Sequence, residues 1–95
     1  EPFATDNYFE QYVYEKPTVF VVQGKEVVVT SRRLADALAN LSEQRRTVLL
    51  MNFFLGYSER KIGNEYGRSR STVNYWKLAA LKQLRKELEE TEHEE

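Results

Sequence analysis

The apolar positions of this chain follow two periods in turn. Between Thr18 and Val29 the runs Thr-Val-Phe-Val-Val and Val-Val-Val are rich in β-branched residues and flank Gln23-Gly24-Lys25. That pattern predicts a β-hairpin. A two-stranded ribbon is marginal alone, so it is expected to pack on whatever follows. After Ser31 the spacing becomes helical. Leu34, Ala35, Leu38 and Leu41 form one stripe, predicting a helix over Arg32 to Asn40 with Ser31 as its N-cap. Ser42 can cap a second helix, with Glu43 and Gln44 in its first turn, where an acid suits the helix dipole. Its run Val48, Leu49, Leu50, Met51, Phe53, Phe54 and Leu55 is apolar on more than one face, which predicts a central helix. Gly56 is a natural stop, because glycine accepts a left-handed backbone.

Ser58 is expected to cap a third helix with Ile62 and Tyr66 facing inward, and Gly67 to end it. Ser69 is expected to cap a fourth, reaching about Glu89, with Val73, Trp76, Ala80, Leu81, Leu84 and Leu88 on its inner face. The predicted fold class is mainly α: four helices, the last two forming a helix-turn-helix, preceded by a β-hairpin. The expected divisions are an N-terminal arm and hairpin over residues 1–30, a helical domain over 31–89 and an acidic tail over 90–95. The arm is irregular and aromatic, with Phe3, Tyr8, Phe9, Tyr12 and Tyr14 before Pro17.

Composition narrows the function classes. Ninety-five residues suit one small domain or a piece of a longer chain, and Glu1 in place of a start methionine suggests a trimmed N-terminus. The absence of cysteine excludes disulfides and thiolate metal sites and fits a cytoplasmic location. No apolar run approaches the ~20 residues of a membrane helix, so no membrane partner is expected. Catalysis has little to stand on: there is one histidine, His93, and no Gly-rich phosphate loop, and no cofactor is expected. His93 lies among Glu92, Glu94 and Glu95, where a solvated tail is the better reading than a weak cation site.

The net charge of −1 hides a polarity. Between Gly56 and Lys86 lie eight basic residues, Arg60, Lys61, Arg68, Arg70, Lys77, Lys82, Arg85 and Lys86, against the two acids Glu59 and Glu65. Six glutamates and no basic residue occupy Glu87 to Glu95. A basic stretch beside an acidic tail suggests an anionic partner, although charge alone fits a solvated helix face equally well. The tail itself is either solubilising sequence or a competitor for the basic face.

The informative unit is Glu59-Arg-Lys-Ile-Gly-Asn-Glu-Tyr-Gly-Arg-Ser-Arg-Ser-Thr-Val-Asn-Tyr-Trp. Ile62 and Tyr66 share a helix face, Gly63 permits close approach of a second helix, and Gly67 permits the tight turn. Val73 and Trp76 bury the second helix against the first. That leaves Arg70, Ser71, Thr72, Asn74, Tyr75 and Lys77 as its outward positions. They occupy the N-terminal half of the helix, which a recognition helix presents to base edges in the major groove of duplex DNA. Asn suits adenine, Arg guanine or phosphate, and Ser or Thr several bases. Ser69 stands where free backbone N–H groups suit a phosphate, and Lys61 and Arg68 are candidate phosphate contacts beside it.

Residues Leu34 to Leu84 resemble region four of the bacterial sigma-70-type RNA polymerase sigma factors. The resemblance lies in Leu38-Ala-Asn-Leu-Ser-Glu-Gln-Arg-Arg-Thr-Val-Leu, in Tyr57-Ser-Glu-Arg-Lys-Ile-Gly-Asn-Glu-Tyr-Gly-Arg-Ser-Arg-Ser-Thr-Val, and in Ala80-Leu-Lys-Gln-Leu-Arg. With the hairpin included, the chain is most similar to sigma-like proteins of conjugative transposons. The resemblance implies recognition of a promoter element, with the first half docking on the flap of the polymerase β subunit. It would set Arg70, Ser71, Thr72, Asn74 and Tyr75 toward the DNA. Arg68 departs from the family pattern, which is apolar there. Ser71, Thr72 and Asn74 replace an acid and two arginines of housekeeping members, so a different or weaker site is expected. No segment resembles the region that melts DNA. Two alternatives stay open: a stand-alone dimeric helix-turn-helix regulator, and a protein-docking module without DNA contact.

Overall fold

The structure, a computed structural model, describes residues 16–93. The aromatic arm before Lys16 and the last two glutamates lie outside the described residues. Two strands and four helices follow in order: β1 (Thr18–Val22), β2 (Lys25–Val29), α1 (Arg32–Ala39), α2 (Glu43–Leu49, continued by a π-helical turn over Leu50–Phe54), α3 (Glu59–Tyr66) and α4 (Arg70–His93). The mainly helical fold with a leading hairpin is the one the sequence predicts.

β1 and β2 pair antiparallel with Thr18 opposite Val29 and Val22 opposite Lys25. That leaves Gln23 and Gly24 as a two-residue turn, both at positive φ (52° and 76°). Left-handed values at both positions match the twist of the strands they join. Lys25 therefore begins the second strand and is not part of the turn. The inner face of the ribbon, with Val22, Val27 and Val29, enters the helical core, which stabilises two strands that could not stand alone. Val19, Val21 and Val28 occupy the outer face and stay exposed.

Each helix begins on a serine, as expected. The hydroxyl oxygens of Ser31, Ser42, Ser58 and Ser69 accept the backbone N–H three residues on, from Leu34, Arg45, Lys61 and Thr72, at 3.0–3.3 Å. α2 is central: Val48, Leu49, Leu50 and Met51 are among the most buried side chains. They pack with Leu38, Ile62, Val73 and Ala80. Its last turn departs from the predicted helix. Leu55 N–H reaches back to the Leu50 carbonyl (3.0 Å), Tyr57 N–H to that of Met51 (2.9 Å), and the Asn52 amide donates to the Tyr57 carbonyl (2.8 Å). The wider turn brings Phe53 and Phe54 out of the core, to 57% and 43% exposure. Gly56 then takes φ 76° and ends the helix.

The fourth helix runs past Glu89 to His93, so residues 90–93 extend the helix where fraying was expected. Its C-terminal half is strapped to the rest of the domain. Arg45 donates to Gln83 (2.6 Å), Asn40 to Glu87 (3.1 Å) and Arg33 to the Leu88 carbonyl (3.2 Å). Among the described residues, no helix is long and apolar enough to cross a membrane.

Candidate nucleic-acid interface

α3 and α4 meet through a turn that the sequence specifies closely. Gly67 is left-handed (φ 65°), Arg68 N–H bonds the Gly63 carbonyl (2.8 Å), and Gly67 N–H bonds that of Asn64 (3.4 Å). This is the Schellman arrangement that ends a helix on glycine. Gly63 is needed for a different reason. A Cβ built on it would lie 2.5 Å from the Arg68 carbonyl oxygen, well inside contact distance. The close neighbour of Gly63 is therefore the backbone of the turn and not the side of a helix. Ile62 and Val73 are fully buried between the two helices. Tyr66 is less buried than its spacing suggests, at 39% exposure. Its ring stands edge-on to Trp76, with centroids 5.8 Å apart at 89°, and burial of the phenol raises its pKa above 10.0.

The expected outward residues divide into two groups. Arg70, Ser71 and Tyr75 are open to solvent, with Tyr75 71% exposed. Arg68 and Ser69 are exposed in the turn that leads into α4, and Lys61 is exposed on the flank of α3 away from α4, over the Tyr57 ring. Thr72 is half-buried, its hydroxyl 3.0 Å from that of Ser69, so it shares in the cap. Asn74 and Lys77 do not point freely outward; both turn to α3.

Glu59 is the residue that gathers them. Its carboxylate accepts from the Asn74 amide (2.9 Å), pairs with Lys77 (3.0 Å) and lies 3.8 Å from the Arg70 guanidinium. Lys77 also lies over the Phe53 ring, 5.5 Å from its centroid. The Asn74 and Lys77 hydrogen bonds, with the nearby charge of Arg70, hold the Glu59 carboxyl below its ordinary 4.5. An open groove of about 550 Å³ runs over this cluster, lined by Asn52, Ser58, Glu59, Arg60, Arg70 and Lys77. Sequence reasoning counted Glu59 only as one acid in a basic stretch. The signal for its role is its place in the first turn of α3, opposite the second helix.

On the other flank of α3 stands the hairpin tip. Gln23 donates to Glu65 (3.1 Å), and the Lys25 ammonium donates to the Tyr57 hydroxyl (2.9 Å). Lys61 lies over the Tyr57 ring, 4.6 Å from its centroid, and Lys25, bonded to the hydroxyl, sits at the ring's edge, 5.3 Å from the same point. The bond to Tyr57 raises the Lys25 pKa above 10.5, keeping it fully charged at neutral pH. A third feature lies between α1, α2 and α4. Leu34, Leu38, Leu49, Phe53, Phe54, Leu81 and Leu84 line a wholly apolar cavity of about 220 Å³.

A capped three-residue turn between two helices, the second presenting Arg70, Ser71 and Tyr75 from its first turns, defines a helix-turn-helix protein. Within that class the family follows from the sequence. The profile described as Sigma-70, region 4 matches residues 31–84, more than half of the chain, and the protein belongs to this family. Neither a curated protein nor a solved structure matches the chain significantly. Sigma-70 region 4 is a DNA-binding domain of transcription regulation that works with RNA polymerase, and it is not an enzyme family.

Proposed function

We propose that this protein recognises a promoter element through α4 while its apolar cavity docks on RNA polymerase. The observation that carries the reading is the first two turns of α4. They hold Arg70, Ser71 and Tyr75 clear of the core, with Arg68 and the Ser69 cap alongside and Lys61 on the far flank of α3, the layout in which a recognition helix enters the major groove while the helix before it crosses the backbone. Thr72, Asn74 and Lys77 complete the set of DNA-facing candidates. Lys77 and Asn74 join it on release from Glu59. The cavity between α1, α2 and α4 suits an apolar anchor, and the flap of the polymerase β subunit is the partner the family offers for it. The leading hairpin supports kinship with the sigma-like proteins of conjugative transposons.

The test is fluorescence anisotropy on a mixed-sequence duplex between about 50 and 200 mM salt, with Arg70→Ala, Tyr75→Ala alongside. Phosphate contacts release counterions, so affinity should fall steeply as salt rises. On a selected site the double variant should bind about tenfold or more weakly, the worth of one good base contact. A flat salt response would favour a protein-docking module. One observation favours a stand-alone dimer: the valine-rich outer face of the hairpin is free among the described residues. A dimer in sedimentation together with an inverted-repeat site would establish that reading in place of the first.

A further inference from the structure

We propose that the hairpin tip is a second DNA-backbone contact, in which Lys25 and Lys61, gathered around the Tyr57 ring, bind a phosphate beyond the stretch that α4 faces. The inference rests on the DNA-binding reading above, and adds to it a contact made by a part of the chain that precedes the matched region of residues 31–84.

The charge pattern carries the argument. Arg70 and Lys77 share a carboxylate partner in Glu59. Lys25 and Lys61 have no such partner: among the described residues no carboxylate lies within 4.0 Å of either ammonium. The other charged groups on this flank are Arg60, exposed beside Lys61, Glu26 on the hairpin, and Glu65, which accepts from Gln23. Two like charges therefore converge on one ring. An anion bound by both ammonium groups would relieve their repulsion. As a strap between hairpin and α3, Lys25 is over-equipped, because a neutral donor could make the same bond to the Tyr57 hydroxyl.

The position fits the backbone of bound DNA. Glu59, Ile62 and Tyr66 occupy the flank of α3 that meets α4, as their partners Asn74 and Trp76 show. Lys61 and Glu65 lie on the opposite flank, with the hairpin tip. A helix is about 10–12 Å across, and the phosphates of one strand rise about 3.4 Å per nucleotide. The two flanks of α3 therefore reach different phosphates of the backbone that the helix crosses.

The experiment uses the full chain and non-specific duplex DNA, with Lys25→Gln, Lys25→Arg and Arg70→Ala measured in the same salt series. Lys25→Gln should bind several-fold more weakly whatever the duplex sequence, and its log–log salt slope should fall by about 0.9, one phosphate contact. Lys25→Arg should keep the slope of the parent. Equal melting midpoints for the three Lys25 forms would separate lost charge from lost fold. A parent slope retained in Lys25→Gln would overturn the proposal while leaving the α4 reading intact. An absent salt response in the parent would overturn both, and an effect of Arg70→Ala alone would reduce the hairpin to packing.

Discussion

The two flanks of α3 are joined to their neighbours by different physics. Toward α4 the contact is buried and includes backbone: Ile62 and Val73 are fully buried, and Gly63 admits the Arg68 carbonyl where a Cβ would clash. Toward the hairpin tip it consists of long polar side chains in water, Gln23 to Glu65 and Lys25 to Tyr57. Close packing fixes a geometry to within fractions of an ångström. Exposed polar straps hold a range of positions at little cost. The α3–α4 angle is thus set before any ligand arrives, while the tip can adjust to the nucleic acid it meets.

That contrast can be broken most severely at Ile62. Ile62→Ala removes a fully buried side chain and should cost about 2–5 kcal/mol in denaturant unfolding, with DNA binding lost at temperatures where the fold fails. Gly63→Ala tests the close backbone approach. It should destabilise by about 1–3 kcal/mol, and a neutral outcome would mean that the turn yields more readily than the 2.5 Å contact implies. On the polar flank, Gln23→Ala should change stability by no more than about 0.5 kcal/mol; a loss as large as that at Gly63 would erase the distinction.

Glu59 stands between the extremes, because its contacts lie on the rigid flank yet are electrostatic. Glu59→Gln should tighten non-specific DNA binding several-fold in anisotropy titrations, since it frees Arg70 and Lys77 and removes a negative charge near phosphate. The smallest effect is the pH dependence. The folded-state pKa of Glu59 is lowered, so its contribution to stability is present above the unfolded value near 4.5 and is lost as pH falls through the folded value. Melting midpoints between about pH 6 and pH 3 should fall slightly more steeply for the parent than for Glu59→Gln.

Local signals made most of the fold legible. Each of the four serine caps, the left-handed Gly56 and Gly67, and the hairpin follow from residue types at short range, where a side-chain oxygen or a missing Cβ decides the backbone. The π-helical turn at Leu50–Phe54 did not, since an apolar run without a breaker carries no mark of where one residue is inserted. The outward face of α4 was legible in part. Helical spacing separates Val73 and Trp76 from Arg70, Ser71 and Tyr75. It cannot show that Asn74 and Lys77 are drawn aside by an acid 15 and 18 positions earlier, because that pairing exists only once α3 has folded against α4. Lys25 escaped notice for the same reason: Tyr57, its partner, is 32 residues away.

The uninterrupted α4 gives the molecule an electrical direction. Arg70 opens the helix and Glu87, Glu89 and Glu90 lie near its end, about 26 Å or more away at 1.5 Å per residue. The screening length in physiological salt is about 8 Å, so these glutamates are too distant to compete within the chain for the ground Arg70 occupies. They act instead during approach. In the field of a polyanion the basic stretch that ends at Lys86 and the glutamates after it are drawn in opposite senses, and the resulting torque turns the protein before contact. A larger share of collisions then arrives with the reading end forward, a kinetic gain that fades as added salt shortens the reach of the field.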